Sequence, residues 1–308
     1  MRRPTFIACA VLLAVIALVS ISLALARPAP QKQPLPVLVI SGGAEAPSGE
    51  APQNLGTLPS PEPTIVEPEA GREPGERSGK ALMALVIDDF GTSLTIAQQI
   101  ASLGGPSRSF TWAIMPDCSA SLSCAHLADK IGQPYIVHLP MQAIIDPAGH
   151  RDYLIGTDSS PEQVRRQVER MRSLFPRALG VNNHRGSKAT SSQNTMEAFG
   201  AAMADQTGWG FLDSRTSGKS VARSTVAKYG VPALANMAFI DGVSDLDYMK
   251  GQFAKALRIA RSRGVGIAIC HARTGTLPFL RWVCSQQFGG VQFVPLHQLW
   301  FPEEGARR

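Results

Sequence analysis

Ala81-Leu82-Met83-Ala84-Leu85-Val86-Ile87-Asp88-Asp89-Phe90-Gly91 is an apolar run that ends abruptly in two adjacent carboxylates. So short a run, β-branched toward its end and followed by Gly91 and a helix-like segment, reads as a strand buried on both faces. Two acids at its carboxyl end are costly. Neighbouring carboxylates in a partly desolvated place repel unless a cation, a hydrogen-bond network or a shared proton relieves them. One reading is a turn in which Asp88 and Asp89 cap the next helix. The other is a metal ligand with a base beside it, preferred because active sites of α/β folds collect at the carboxyl ends of strands.

Downstream of this stretch the pattern repeats. Residues 93–103 carry helical spacing and stop at Gly104-Gly105-Pro106. Residues 109–115, 134–139, 178–182 and 208–213 read as strands. Between them lie helices over 119–131, from Ser160-Pro161-Glu162 onward, and over 191–207. A strand region over 231–240 ends at Asp241, a long amphipathic helix over 245–263 is closed by Gly264, and strands over 266–271 and 290–296 complete the series. Seven or eight such units without a run of hairpins imply a mostly parallel sheet, doubly wound or closed into a barrel. No G-x-G-x-x-G or G-x-x-x-x-G-K-[ST] follows a strand, so nucleotide binding has no support.

Upstream, the composition changes twice. Met1-Arg2-Arg3 is a basic start, and residues 5–26 follow without a charge, long enough at helical rise to cross a bilayer. The Ala24-Leu25-Ala26 ending suits signal cleavage, while the length of the apolar core suits a retained anchor; the expectation is export, with residues 1–26 a signal peptide or an inner-membrane helix and the rest periplasmic or extracytoplasmic. Residues 27–80 hold nearly half of the chain's 23 prolines and read as a disordered tether. The globular part is then 81–302 of 308 residues, with a short tail over 303–308. A net charge of +6 without a dense basic block gives nucleic-acid binding no support. Beyond Cys9 in the apolar segment, the cysteines are Cys118, Cys124, Cys270 and Cys284. An oxidising compartment permits Cys118–Cys124 or Cys270–Cys284, free thiols are as compatible, and spacing does not choose.

If the strands are parallel, their carboxyl ends share one face, and Asp88, Asp89, His138, His184, Asp213, Arg215 and His271 converge there. His126, His150 and His297 fall elsewhere and read as surface or packing residues. Two neutral imidazoles and one carboxylate form a facial set for zinc or a similar divalent cation with positions left for water. A second carboxylate can take the proton of that water, and a further histidine can protonate a leaving group. These parts describe metal-assisted hydrolysis of an acyl or similar bond.

Ile87-Asp88-Asp89-Phe90-Gly91, residues 137–142 (Val-His-Leu-Pro-Met-Gln), 180–187 (Gly-Val-Asn-Asn-His-Arg-Gly-Ser), 211–217 (Phe-Leu-Asp-Ser-Arg-Thr-Ser) and Ile269-Cys270-His271 resemble, in this order, the motifs of the divergent polysaccharide deacetylases. These are an exported bacterial branch of the polysaccharide deacetylase superfamily. The resemblance spans 81–302 and implies a distorted (β/α) barrel of about seven strands. It also implies a metal-dependent de-N-acetylase ancestry, with a polysaccharide or oligosaccharide as substrate. Matched position by position, it makes Asp88 the base, Asp89 a metal ligand, His138 a second ligand and His271 the general acid. The superfamily's next histidine, four residues after His138, is Gln142 here. His184 is the substitute as third ligand by its place at a strand end, not by a motif match. Asn183, Arg185, Asp213 and Arg215 are expected to orient these groups or touch substrate, with a structural salt bridge as the plainer role for Asp213 and Arg215. Two functions fit: an exported metal-dependent deacetylase, and a catalytically silent module of the same fold that binds a glycan or an envelope protein. A two-carboxylate glycosidase is weaker, because Asp88 and Asp89 are neighbours and cannot flank a glycosidic bond.

Overall fold

A computed structural model describes residues 79–145 and 154–302. Residues 1–26, expected as the export segment, nearly all of residues 27–80, expected as the tether, His150 and residues 303–308 lie outside these residues. β1 (Ala81–Phe90) is the hub of the sheet. β8 (Val265–His271) pairs along one side of it, from Leu82↔Val265 to Asp88↔His271. β9 (Val291–Phe293) and β2 (Thr111–Ile114) share the other. From β2 the sheet runs through β3 (Tyr135–Met141), β4 (Gly180–Arg185), β5 (Gly210–Asp213) and β6 (Ala233–Ala235); beyond β8 lies β7 (Ala238–Phe239). Every strand pairing among the described residues is parallel.

Residues 231–240, expected as one strand, are divided between the two free edges. β6 pairs with β5 and β7 with β8. Between them the Asn236 N–H donates to the Asp213 carbonyl (2.9 Å) and the Met237 N–H to the Ile267 carbonyl (3.1 Å). One continuous stretch thus touches both edges of the curled sheet. Counting it once, the ring has seven strand positions, which is the distorted barrel expected.

The helices are α1 (Leu94–Ala101), α2 (Ser121–Ile131), α3 (Pro161–Leu174), α4 (Gln193–Ala204), α5 (Ala222–Ala227), α6 (Leu246–Arg263), α7 (Leu277–Ser285) and α8 (His297–Trp300). α1 is capped by the Ser93 side chain, so the capping role considered for Asp88 and Asp89 does not hold. α3 begins with a reciprocal capping box between Ser160 and Gln163 and proline at its first position. No described helix is long and apolar enough to cross a membrane. The cysteines at 118, 124, 270 and 284 are all free.

Alternation along the strands separates two cores. Met83, Leu85 and Ile87 point outward into the large cluster beneath the helices. Ala84 and Val86 point inward with Ala113, Ile136, Leu212, Ile267 and Ile269. Trp300 of α8 closes the bottom of this interior. Gly210 and Gly180 leave room for it: a Cβ on Gly210 would stand 2.1 Å from the indole, and one on Gly180 2.6 Å. The next inward positions toward the carboxyl ends are Asp88, His138, Asn182, His184, Ser214 and His271. Apolar filling stops there and titratable groups begin.

Candidate metal centre

Regular alternation would turn Asp89 outward, beside Ile87. Instead the β1–β2 register breaks between Ile87 and Phe90, and Asp89 takes a left-handed backbone, φ 64°. Aspartate tolerates that region better than most residues, and the bulge brings both acids to the mouth of the barrel. Asp89 Oδ1 then lies 3.4 Å from His138 Nε2 and 3.3 Å from His184 Nδ1, and the two ring nitrogens are 3.0 Å apart. Oδ1 is buried with no hydrogen-bond donor aimed at it among the described residues. The other oxygen, Oδ2, accepts from Arg273 at 3.2 Å.

Tetrahedral ligands ~2.0–2.1 Å from a zinc-sized cation stand about 3.3–3.4 Å from one another. The triangle of three donor atoms has nearly these edges, so the residues fit a divalent ion. His138 is prepared for that role by its other nitrogen: Nδ1 lies 2.8 Å from Asn182 Oδ1, an acceptor, which puts the proton on Nδ1 and the lone pair on Nε2. Burial alone would raise the Asp89 carboxyl, but its interactions with His138 and His184 outweigh that and hold it far below the usual carboxylate range.

Two proton-handling groups flank the triangle. Asp88, 2% exposed, accepts from Asn182 Nδ2 at 2.9 Å, and its Oδ2 lies 3.6 Å from His138 Nε2. Burial raises its pKa above the ordinary value, against the pull of His138 and His271. His271 stands directly across the β1–β8 ladder from Asp88. Its Nδ1 meets Asp241 Oδ1 at 2.8 Å, and Asp241 Oδ2 accepts the His271 main-chain N–H (2.9 Å) and the Thr276 hydroxyl (2.9 Å). Burial opposes charge on His271, but the bond to Asp241 prevails and raises its pKa above the usual imidazole value. An open pocket of about 230 Å³ lies over these groups, with Arg185, Thr216, Phe239 and Arg273 in its walls.

The remaining expected residues organise the rim. Asn183 lines the pocket, yet both ends of its amide are engaged: Nδ2 donates to the Arg185 carbonyl (2.7 Å) and Oδ1 accepts the Ser214 N–H (2.9 Å). Arg185 stands in the wall and donates to the Ile145 carbonyl at 2.9 Å. Asp213 is buried and points off the barrel axis, accepting from the Arg215 N–H (2.8 Å) and the Ser220 hydroxyl (2.7 Å); it shapes the loop after β5 and forms no salt bridge with Arg215. Asn182, Asp241 and Arg273 were not anticipated. Alternation could have found Asn182, which shares a strand face with His184 where Asn183 does not.

A sequence profile of the divergent polysaccharide deacetylases matches residues 85–300. The chain belongs to the divergent polysaccharide deacetylase family. It is 31% identical to an uncharacterized protein of Haemophilus influenzae, over 72% of this chain and 78% of that one. It is 30% identical to the uncharacterized protein YibQ of Escherichia coli, over 65% of this chain and 61% of that one. The crystal structure of an uncharacterized protein from Agrobacterium tumefaciens superposes with a TM-score of 0.64 at 19% identity, over 73% of this chain and 92% of that one, a likeness of fold. In this member of the family Gln142 turns away from the triangle. Its Oε1 accepts from the Thr157 N–H (2.9 Å) and hydroxyl (3.0 Å). The third corner belongs to His184, which pairs with Pro140 across the β3–β4 ladder, two positions beyond the level of His138.

Proposed function

We propose that the chain is a metal-dependent deacetylase that hydrolyses the acetamido group of sugars in an envelope or extracellular polysaccharide. The observation that carries this is the triangle of Asp89, His138 and His184, edged at 3.0–3.4 Å, with a buried acid and an aspartate-backed histidine beside it. Asp89 Oδ1, His138 Nε2 and His184 Nδ1 would hold the cation, zinc by its affinity for such mixed nitrogen and oxygen sets. Bound there, it supplies a polarised carbonyl and a water acidified toward ~7.

Asp88 accepts the proton of the attacking water. Its carboxylate is aimed by Asn182, and its raised pKa brings it closer to the range where a general base works well. His271 delivers a proton to the departing amine as the C–N bond breaks. Asp241 occupies its Nδ1, which leaves Nε2 for the pocket. The products are acetate and a free amine. The basic start and the uncharged stretch over 5–26 support a site of action outside the cytoplasmic membrane, with the tether giving reach.

Gln142, where the superfamily has a histidine, favours the second reading, a glycan-binding module without turnover. Acetate release separates the two. The zinc-loaded full chain is screened on chitin oligomers, peptidoglycan fragments and acetylated exopolysaccharide. Turnover on one of these is expected, with its loss in His138→Ala. No turnover on any, with zinc bound, would leave the silent module.

A further inference from the structure

Asp89 is approached from three elements, and the third is the turn that carries His271. His138 of β3 and His184 of β4 face its Oδ1. Its Oδ2 meets Arg273 Nη2, 184 residues away in the chain, at 3.2 Å. The two oxygens of one carboxylate thus have separate surroundings: Oδ1 lies buried in the triangle, and Oδ2 accepts from a guanidinium in the pocket wall.

The backbone under Arg273 is fixed although its side chain is 57% exposed. The Ala272 N–H donates to the Asp88 carbonyl (2.8 Å), which carries the β1–β8 contact one residue beyond His271. The Arg273 N–H donates to the His271 carbonyl (2.9 Å), and the Arg273 carbonyl accepts the Thr276 N–H (3.1 Å). Thr276 is itself buried and bonded to Asp241. So the same few residues that hold His271 against Asp241 also present the guanidinium to Asp89. An ion pair with one member this exposed contributes little to stability. What it can supply is direction.

A carboxylate beside a divalent cation can turn one oxygen or both toward it. Turning both uses a position that a catalytic site keeps open for water or substrate. We propose that Arg273 is a positioning residue for the metal centre: by holding Asp89 Oδ2 it keeps this carboxylate a one-oxygen ligand, aimed through Oδ1. This rests on reading the triangle of Asp89, His138 and His184 as a metal centre, and not on turnover. Charge alone argues for the opposite effect, because a guanidinium repels a cation placed nearby. A role by direction and a role by charge therefore predict opposite signs when the guanidinium is removed.

Zinc titration of the metal-free full chain, in competition with a chelator, tests this. Arg273→Met keeps the apolar stem and loses the donors. It should weaken zinc binding roughly tenfold, the low end of the range for a partner that orients a ligand, because water can take the place of an exposed guanidinium. Asp89→Ala removes the ligand itself, and adding Arg273→Met to it should change zinc binding no further, since the pair is already broken. Arg281→Met, exposed on α7, should leave zinc binding unaltered. Metal-free Arg273→Met should melt at the temperature of the unaltered metal-free chain; a lower value would make the loss one of folding and overturn the proposal. Unchanged or tighter zinc in Arg273→Met, or equal weakening with and without Asp89, would overturn it and leave the centre standing. No zinc in the unaltered chain would overturn both. Weaker zinc in Arg273→Met, beside an unaltered chain that releases no acetate, would retain the proposal and remove the deacetylase instead.

Discussion

A carboxamide accepts and donates at once, and Asn182 does both: it fixes the tautomer of one candidate ligand, His138, and aims the proposed base, Asp88. Asn182→Leu should therefore weaken zinc binding roughly 10–100-fold in a competition titration. Asn182→Asp keeps the acceptor for His138 and loses the donor to Asp88, so it should retain zinc and lower kcat with little change in KM. Equal zinc loss in both variants would show that the bond to His138 is not what matters. Asp241 acts on His271 in a comparable way. In the proposed acid role His271 must carry its proton, so activity should persist up to its raised pKa and be lost as pH climbs through it. Asp241→Asn removes the main support of that raised value: the alkaline limb of kcat/KM should move to lower pH, with kcat down roughly 10–100-fold. An unmoved limb would take the acid role from His271. Asp88, His138, His184 and His271 were legible in the sequence because each closes or follows an apolar run. Asn182 was not, since reading the strand as ended at residue 182 hid its alternation with His184. Asp241 was visible only as a strand end, because its partner lies 30 residues away across a pairing no local pattern reveals.

At the scale of elements, the interior of the barrel is filled by side chains near Asp88 and by one indole near its base. Gly210→Ala would drive a Cβ into Trp300, for which overpacking costs about 1–3 kcal/mol in a denaturant titration. Gly251→Ala, mid-helix in α6 with nothing within 4 Å, should instead be neutral or stabilising by up to about 1 kcal/mol. A neutral Gly210→Ala would mean that α8 does not plug the barrel. The long strands and helices were legible because their two-faced or one-sided burial repeats over several turns. The short α5 was not legible, nor was α7, nor the shortness of β9, whose residues beyond Phe293 bend into α8. The division of 231–240 was also hidden. Its residues have strand character throughout, and only the curl of the sheet decides that two halves pair with different neighbours.

For the molecule as a whole, one fact orders the rest: β1, β3 and β4 must come together before three donor atoms can meet. A cation that binds only the folded arrangement stabilises it by RT ln(1 + [L]/Kd), about 2.7 kcal/mol at a hundredfold excess over Kd. Chelation should thus lower the melting temperature of the zinc-loaded chain as well as silence it. The parallel order of the strands was legible from the sequence and set these residues on one face; the bulge at Asp89, which turns the second acid inward, was not. The most direct measurement is metal content by elemental analysis of the purified full chain, after zinc loading and exhaustive dialysis, beside His184→Ala treated in the same way. One ion per chain, removed by chelator and absent from the variant, is the expected result. A full ion in His184→Ala, or none in the unaltered chain, would contradict the site.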